Sequence, residues 1–369
     1  MTSLIPEAPV RLAIAGIGNC ASALVQGLCA YGHDGAAAEG LMHERIGGIS
    51  CADIEVVAAF DVDARKVGRP LGEALLALPN CAARFWSGPL PGGVTVSMGP
   101  VLDGVAPHMM DYPDHLAVRE AQAEPIDLAR TLRDTGTEVL VSYLPVGADR
   151  ATAAYAQACL DAGCALVNCV PSFIASDSGW AGRFQAAGLP VIGDDVKSQL
   201  GATIVHRVLT RLFADRGIVL AHTYQLNTGG NTDFLNMLAR DRLTLKKRSK
   251  TQAVQSQLDV PLAPEDVHIG PSDYVPWQKD NKVCFLRMEG RGFGGQPVEV
   301  ELRLSVQDSP NSAGVVIDAV RCAALALRRG IAGPLEEVSA YLMKSPPVQL
   351  PDAVARERCE DFIARLERP

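Results

Sequence analysis

The chain has 369 residues, 48% of them hydrophobic and 21% charged, a globular composition long enough for roughly two domains. Its net charge of −8 provides no basic footprint for nucleic acid, so an anionic ligand has to be held by a local cluster of cations. The ten cysteines include no Cys-x-x-Cys pair, and Cys159, Cys164 and Cys169 sit among Ala, Leu and Val as small hydrophobes, which argues against a zinc site and for a reducing, cytoplasmic setting.

In chain order, the opening MTSLIPEAPVRLAIAG lacks the basic and apolar regions of a signal peptide, and no later apolar run is long enough for a bilayer. VRLAIAGIG reads as a strand and tight turn, and CASALVQGLCAYG as the helix after it. IEVVAAFDVD, TEVLVSYLPVG, ALVNCVP and LPVIGDD read as further buried strands. ADRATAAYAQACLDAG is an Ala-rich helix stopped by Gly163. This alternation predicts parallel α/β units. From about residue 215 the pattern changes to IVLAHTYQLN, KVCFLRMEGR and VEVELRLSV, whose alternation predicts an antiparallel sheet with one covered face. After DSPNSAG a helix resumes with VVIDAVRCAALALRRG. A doubly wound domain, an inserted α+β domain and a return to the first are therefore expected.

Gly16-Ile17-Gly18-Asn19-Cys20-Ala21 lies between the first strand and helix. Gly16 permits the turn, Gly18 admits a pyrophosphate, and Ala21 lets the helix pack on the sheet, with free helix N–H groups facing the phosphate. Alone this is as easily a packing turn. Asp61, ending the second strand, is placed for the ribose hydroxyls of NAD and would repel the extra phosphate of NADP. The stretch from Tyr31 to Asp53 makes the Gly-to-Asp spacing more than twice the usual ~20 residues, and reads as an insertion.

Four further clusters each have a bland and a chemical reading. Lys246, Lys247, Arg248 and Lys250 form a solvated helix face, or an anion clamp with Lys246 and Lys250 on one side. Asn227–Asp233 is a turn, or a backbone cradle for an anion. Gly193–Gln199 is a helix cap, or a ligand loop at the carboxyl end of a strand. Lys344 in LMKSPP is a surface lysine, or a desolvated acid–base. The seven histidines show no metal-ligand spacing, and no Gly-x-Ser-x-Gly elbow supports hydrolysis.

AGIGNCASALVQGL, AAFDVDARKVG, VSYLPVG, GDDVKSQLGAT, GGNTDFLNML, KKRSKTQAV, HIGPSDY, DSPNSAGVVIDAVR and AYLMKSPP, in order over nearly the whole chain, resemble the short actinobacterial myo-inositol-1-phosphate synthases. The resemblance implies a Rossmann domain, 1–200 and 310–369, interrupted by a catalytic and tetramerisation domain, 201–309. It also implies a redox-neutral, NAD-dependent cyclisation of glucose 6-phosphate: oxidation at C5, enolisation at C6, aldol closure on C1 and re-reduction. Lys246, Lys250, Lys344, Asp195 and Asp308 fall on its catalytic positions. Ser198, Gln199, Gly230, Asn231 and Asp233 fall near its phosphate cradle. Asn19, Cys20, Ser142 and Asp194 join Gly16, Gly18, Ala21 and Asp61 at the cofactor. Lys250 is expected at the C5 oxygen, and Lys246 and Lys344 at the enolate and aldol oxygens.

In eukaryotic members of the family a further lysine follows the strand that here reads CFLRMEGRGFGGQP; this chain has Gln296 or its neighbour there, the lysine being missing as in other short-form members, so that a divalent cation or Lys247 would supply the charge. Thr232, Leu245 and PNCAARFWSG depart from the family pattern, as in a diverged paralogue. A paralogue acting on fructose 6-phosphate would close a five-membered ring, with Thr232 making room. A dehydrogenase releasing NADH and a non-catalytic NAD-sensing scaffold are the other readings. The polar stretch 240–260 is expected to order only with substrate.

Overall fold

Val10–Ala15 (β1) is buried at every position but Arg11, because it lies inside a sheet covered on both faces. The computed structural model describes residues 8–33, 38–270 and 273–367. The start of the opening segment, residues 34–37 of the expected insertion, and Pro271 and Ser272 of HIGPSDY lie outside them. In chain order there follow α1 (Asn19–Gly32), β2 (Ile54–Asp61), α2 (Leu71–Ala74), β3 (Val96–Met98), α3 (Leu128–Asp134), β4 (Val139–Ser142), α4 (Asp149–Ala162), β5 (Ala165–Asn168), α5 (Ser178–Ala187) and β6 (Pro190–Ile192). The second part comprises α6 (Ala202–Asp215), β7 (Val219–Gly229), α7 (Thr232–Asn236), α8 (Thr244–Gln255), β8 (Val267–Ile269), β9 (Asp273–Tyr274), β10 (Asn281–Arg291) and β11 (Pro297–Gln307). The chain then returns through α9 (Asp308–Arg328), β12 (Gly333–Pro334), α10 (Glu336–Leu342) and α11 (Asp352–Glu367).

The first sheet is parallel, in the order β12-β6-β5-β4-β1-β2-β3. Apart from β12 at the edge this is the doubly wound order, with its switch point between β1 and β4. The short strands β3 and β12 were not evident from sequence. Gly163 closes α4 where expected, at φ 80°, and Asp177 caps the start of α5 by accepting from the backbone N–H groups of Gly179 and Trp180. The 21-residue α9 is apolar enough to cross a membrane, but it is the central core helix, packed on α1 and the sheet.

The second sheet runs β11-β10-β7-β8, with β9 also on β7. β10 is antiparallel to both neighbours, while β8 and β9 join β7 in parallel, a mixed character the alternation did not reveal. Leu220, Cys284, Leu286 and Met288 face Phe213 of α6 and form its covered side. The Lys-rich stretch expected to order only with substrate forms α8 here.

The insertion after α1 docks on the returning chain. Arg321, fully buried in α9, donates from Nη1 to the carbonyls of Glu44 (3.0 Å) and Ile49 (3.3 Å) and from Nη2 to that of His43 (2.9 Å), and pairs with Asp318. The His43 ring donates to Asp318 Oδ2 at 2.6 Å and to Glu360 Oε2 at 3.2 Å. The Asp318 hydrogen bond raises the His43 pKa above its ordinary 6.5, outweighing burial, and Glu360 adds to it. The folded state thus favours imidazolium: the stabilisation is complete below the ordinary value and is lost as pH rises through the folded one. In thermal melts, a His43→Asn variant is expected to fall furthest below the parent below the ordinary histidine pKa and to approach it as pH rises through the raised folded value.

Candidate active site

The glycine turn after β1 is shaped by two different demands. Gly16 has φ +90°, and a Cβ there would lie 2.7 Å from the Tyr143 carbonyl oxygen, so only glycine fits. A Cβ on Gly18 would meet nothing within 4 Å: this residue borders open cavity, the place where a ligand's phosphate would approach the N-terminus of α1. Asp61 faces the same cavity and braces the turn. Its Oδ2 accepts from the Ile17 N–H at 2.7 Å, and its Oδ1 from those of Val62 and Asp63. Beside it the buried Lys66, unremarked in the sequence, donates to the Ile17 carbonyl at 2.8 Å, with its amine 3.7 Å from Asp61. Asn19 and Cys20 also line the cavity. Asn19 Oδ1 accepts from the backbone N–H groups of Cys81 and Ala82, so PNCAARFWSG is held against the start of α1. Burial, followed by Asp280 and Asp308, pushes the Cys20 thiol up to about 12, which keeps it protonated.

The opposite wall carries the lysines. The basic run divides as its helical spacing requires: Lys246 and Lys250 face the cavity, while Lys247 and Arg248 are exposed. Lys344 enters from the returning chain, where Val196 bridges Met343 and the Lys344 N–H donates to the Asp195 carbonyl at 2.7 Å. Asp195 itself adopts φ +61°, a left-handed conformation unusual for a residue with a side chain. A fourth lysine, Lys282 at the start of β10, completes the ring.

Three of the four are paired. Lys344 Nζ donates to Asp195 Oδ1 at 2.7 Å, Lys246 Nζ to Asp233 Oδ2 at 3.0 Å, and Lys282 Nζ to Asp308 Oδ1 at 3.1 Å. Ser249 adds a hydroxyl to Asp195 Oδ2. Burial alone would raise the carboxyls of Asp195 and Asp308, but Lys344 and Lys246 hold the first, and Lys282 the second, below the usual range. Burial likewise pulls Lys246 down, but Asp233 and Asp195 outweigh it and raise it. Lys250 has no ion pair or hydrogen bond among the described residues. Burial, with Lys282, Lys246 and Lys344 as neighbours, drives its pKa well below the ordinary 10.5. Lys344 is lowered too, chiefly by burial, against the pull of Asp195. The site therefore combines one unpaired amine, on which burial and neighbouring cations disfavour charge, with three lysines each paired to a carboxylate, an arrangement suited to moving a proton beside a developing oxyanion.

Several expected residues lie elsewhere. Ser142 is fully buried at the end of β4 and does not reach the cavity. Asp194 turns into the protein. Its carboxylate accepts from the N–H groups of Ile174, Ala175 and Ser176, the Ser176 hydroxyl and the Asn168 amide, and so shapes the loop. Burial raises its pKa to about 6 against those donors. Gln199 points to the insertion and donates to the Gly40 carbonyl at 2.7 Å. Gly230 is a packing glycine: a Cβ would lie 2.3 Å from the Val275 carbonyl oxygen, and its N–H is taken by Lys279. Ala21 packs in the core, as its small size suggested. Of the expected phosphate cradle, Ser198, Asn231 and Asp233 line the cavity, but Asp233 offers its carboxylate to Lys246. Asn231 caps α7 and donates to the buried Asp280, which also accepts from the Ser309 N–H and hydroxyl.

The expectation of a missing lysine is corrected. Gln296 lies exposed in the turn between β10 and β11, whereas Lys282 supplies the cation inside the site. Lys247 is exposed, and among the described residues no group of three His, Cys, Asp or Glu stands together to hold a metal ion.

Over 361 residues the chain is 54% identical to the inositol-3-phosphate synthase of Corynebacterium glutamicum, covering 96% of this chain and 98% of that protein. It belongs to the myo-inositol-1-phosphate synthase family. This family member is also 53% identical over 362 residues to the inositol-3-phosphate synthase of Mycobacterium tuberculosis, covering 97% of each. The family model for myo-inositol-1-phosphate synthase matches its residues 201–309, the stretch that supplies Lys246, Lys250, Lys282 and Asp308. Among solved structures, that of Ari2 is 38% identical, with a TM-score of 0.76 over 97% of this chain and 98% of that one. The inositol-3-phosphate synthase of Caenorhabditis elegans, 14% identical, shares the fold at a TM-score of 0.74, with 98% and 86% covered. As a member of this family the chain is an intramolecular cyclase, and its family implies a sugar phosphate substrate and NAD.

Proposed function

We propose that this synthase converts D-glucose 6-phosphate into 1D-myo-inositol 3-phosphate with no net redox change. The observation that carries the reading is the meeting of four lysines with the open Gly18 turn in one cavity. Gly16, Gly18, Asn19, Cys20 and Asp61 are the residues that would hold NAD, and the space above Gly18 fits its pyrophosphate. When bound, NAD would accept a hydride from C5 and return it after ring closure. Lys250, on which burial and three neighbouring lysines disfavour charge, takes the C5 hydroxyl proton and gives it back at re-reduction. With C5 a ketone, a C6 proton becomes acidic and passes to the substrate's own phosphate; C6 then bonds to C1, the C1 oxygen takes up a proton in exchange, and Lys246 and Lys344 hold the enolate and aldol oxygens as negative charge develops. Lys282 adds a fourth cation, and Asp195 and Asp308 keep Lys344 and Lys282 in place. Ser198 and Asn231 receive the phosphate. We further propose a cytoplasmic homotetramer, a location consistent with ten free thiols and an assembly that would cover Leu226 and Phe285 on the outer face of the second sheet.

Thr232 does line the cavity. The fructose 6-phosphate reading is nevertheless not favoured, because the relatives at 53–54% identity over the whole chain are inositol-3-phosphate synthases. Carbon NMR of end products tests the choice. A six-membered cyclitol phosphate from glucose 6-phosphate is the expected result, and a five-membered carbocycle from fructose 6-phosphate alone would overturn it. Steady NADH release with no ring would instead indicate a dehydrogenase. Lys344→Ala is expected to abolish turnover and leave NAD binding, read by calorimetry, within about twofold of the parent; lost NAD binding would remove Lys344 from its assigned role.

A further inference from the structure

Arg207 of α6 is fully buried, and its guanidinium bonds two separate parts of the chain. Nη1 donates to the Ala253 carbonyl at 2.6 Å and to the Ser256 hydroxyl at 3.1 Å, both at the C-terminal end of α8. Nη1 also reaches Gln349 Oε1 at 3.1 Å, Nη2 the Leu350 carbonyl at 2.7 Å, and Nε the Asp352 carboxylate at 2.8 Å. Gln349 in turn donates from Nε2 to the carbonyl of Lys344 at 2.6 Å. One guanidinium therefore connects the helix that carries Lys246 and Lys250 with the segment that carries Lys344. Asp352 shares its other oxygen with the buried Lys197, 3.2 Å away, and Lys197 lies two residues after Asp195 and donates to the Ala340 carbonyl.

The chemistry suits an anchor. At twelve residues α8 is short for a helix standing on its own. Its last carbonyls lack partners within the helix, and a cation at that end meets both them and the helix dipole. The planar fork of arginine fixes several acceptors at once, which a lysine ammonium does not. None of Arg207, Asp352, Lys197 or Gln349 lines the cavity, so any effect they have on the reaction passes through the lysines.

We propose that Arg207, held by Asp352 and Lys197, is a positioning residue that sets the separation of Lys250 from Lys344 and thereby governs ring closure. The inference rests on the cyclisation proposed above. With NAD bound, oxidation at C5 would pass a hydride to it, and Lys250 on α8 takes the hydroxyl proton. Formation of the C6–C1 bond also needs Lys344, carried on the returning segment beside Asp195, in register with Lys246. Loosening the link slows the second step more than the first, and the oxidised sugar then accumulates with reduced nicotinamide on the enzyme.

The test compares the full-length parent, Arg207→Lys and Gln349→Met, each with glucose 6-phosphate and NAD. Gln349→Met breaks only the arm to Lys344. It is expected to melt and bind NAD like the parent, to lose roughly tenfold to a hundredfold in kcat with KM nearly unchanged, and to show raised nicotinamide fluorescence at steady state. Arg207→Lys keeps the charge, loses the fork and should show the same signature more strongly. If it does not fold, Gln349→Met decides. A folded Gln349→Met with the parent's kcat and fluorescence would overturn the proposal, as would a kcat loss matched by equally weakened NAD binding. No ring from the parent itself would instead refute the cyclase reading.

Discussion

Lys250→Met is expected to lower turnover by about 10²–10⁴-fold while raising the melting temperature. Both effects follow from one arrangement. Lys250 is 5% exposed, and its amine has no carboxylate partner among the described residues and faces three other lysines. Charge on it is costly, and an apolar side chain of similar length removes that cost. Because the folded-state pKa is depressed, the native protein binds fewer protons than the unfolded chain between the folded value and 10.5, so stability rises with pH across that window. The stabilisation by Lys250→Met is therefore largest on the acid side and fades toward alkaline pH. Activity follows the same titration: the base is the neutral amine, so kcat in the parent should climb as pH passes through the folded value. Calorimetric melts across pH, beside product formation, separate the two effects. A variant that loses activity but is less stable at every pH would contradict the assignment of an unpaired amine.

Arg321→Met is expected to cost about 3–5 kcal/mol, the range for breaking a buried ion pair from one side. The residue is fully buried and Asp318 is 2% exposed. Removing the guanidinium leaves that carboxylate with His43 alone, and the carbonyls of His43, Glu44 and Ile49 without their donor. The insertion should loosen first, visible as faster proteolysis between residues 38 and 50 and a melting point lower by something on the order of 5–10 °C. NAD affinity should change little, since the network lies outside the cavity.

The doubly wound sheet was readable because its strands are buried on both faces and bounded by turn signals; β3 and β12, of three and two residues, are too short to leave a pattern. The candidate site was readable as a set of loops but not as a set of directions. Asp194 and Asp195 are adjacent, yet one turns inward to backbone donors and the other meets Lys344; no periodicity distinguishes them. Gln199 and Gly230 were placed on the right segments with their polar groups already used elsewhere. Lys282 was missed because it looks like an ordinary polar residue at a strand end. Its meaning comes from register: Asn281 pairs with Gln307, which carries Lys282 to Asp308 twenty-six residues away. Arg207 and Arg321 were passed over because a cation in a helix reads as a surface residue until its neighbours are known.

The three aspartates facing Lys246, Lys282 and Lys344 make the resting cavity nearly self-neutral. Such a pocket does not gather anions by its field, as an open basic cleft would. A ligand gains a strong hold only by taking over an ammonium group from its carboxylate, which requires an oxygen at the right place. Polyphosphates and stray organic acids, abundant in any metabolising cell, should compete poorly, and affinity should depend only weakly on ionic strength. Selectivity of this kind arises from exchange of partners, and it restrains the lysines between turnovers.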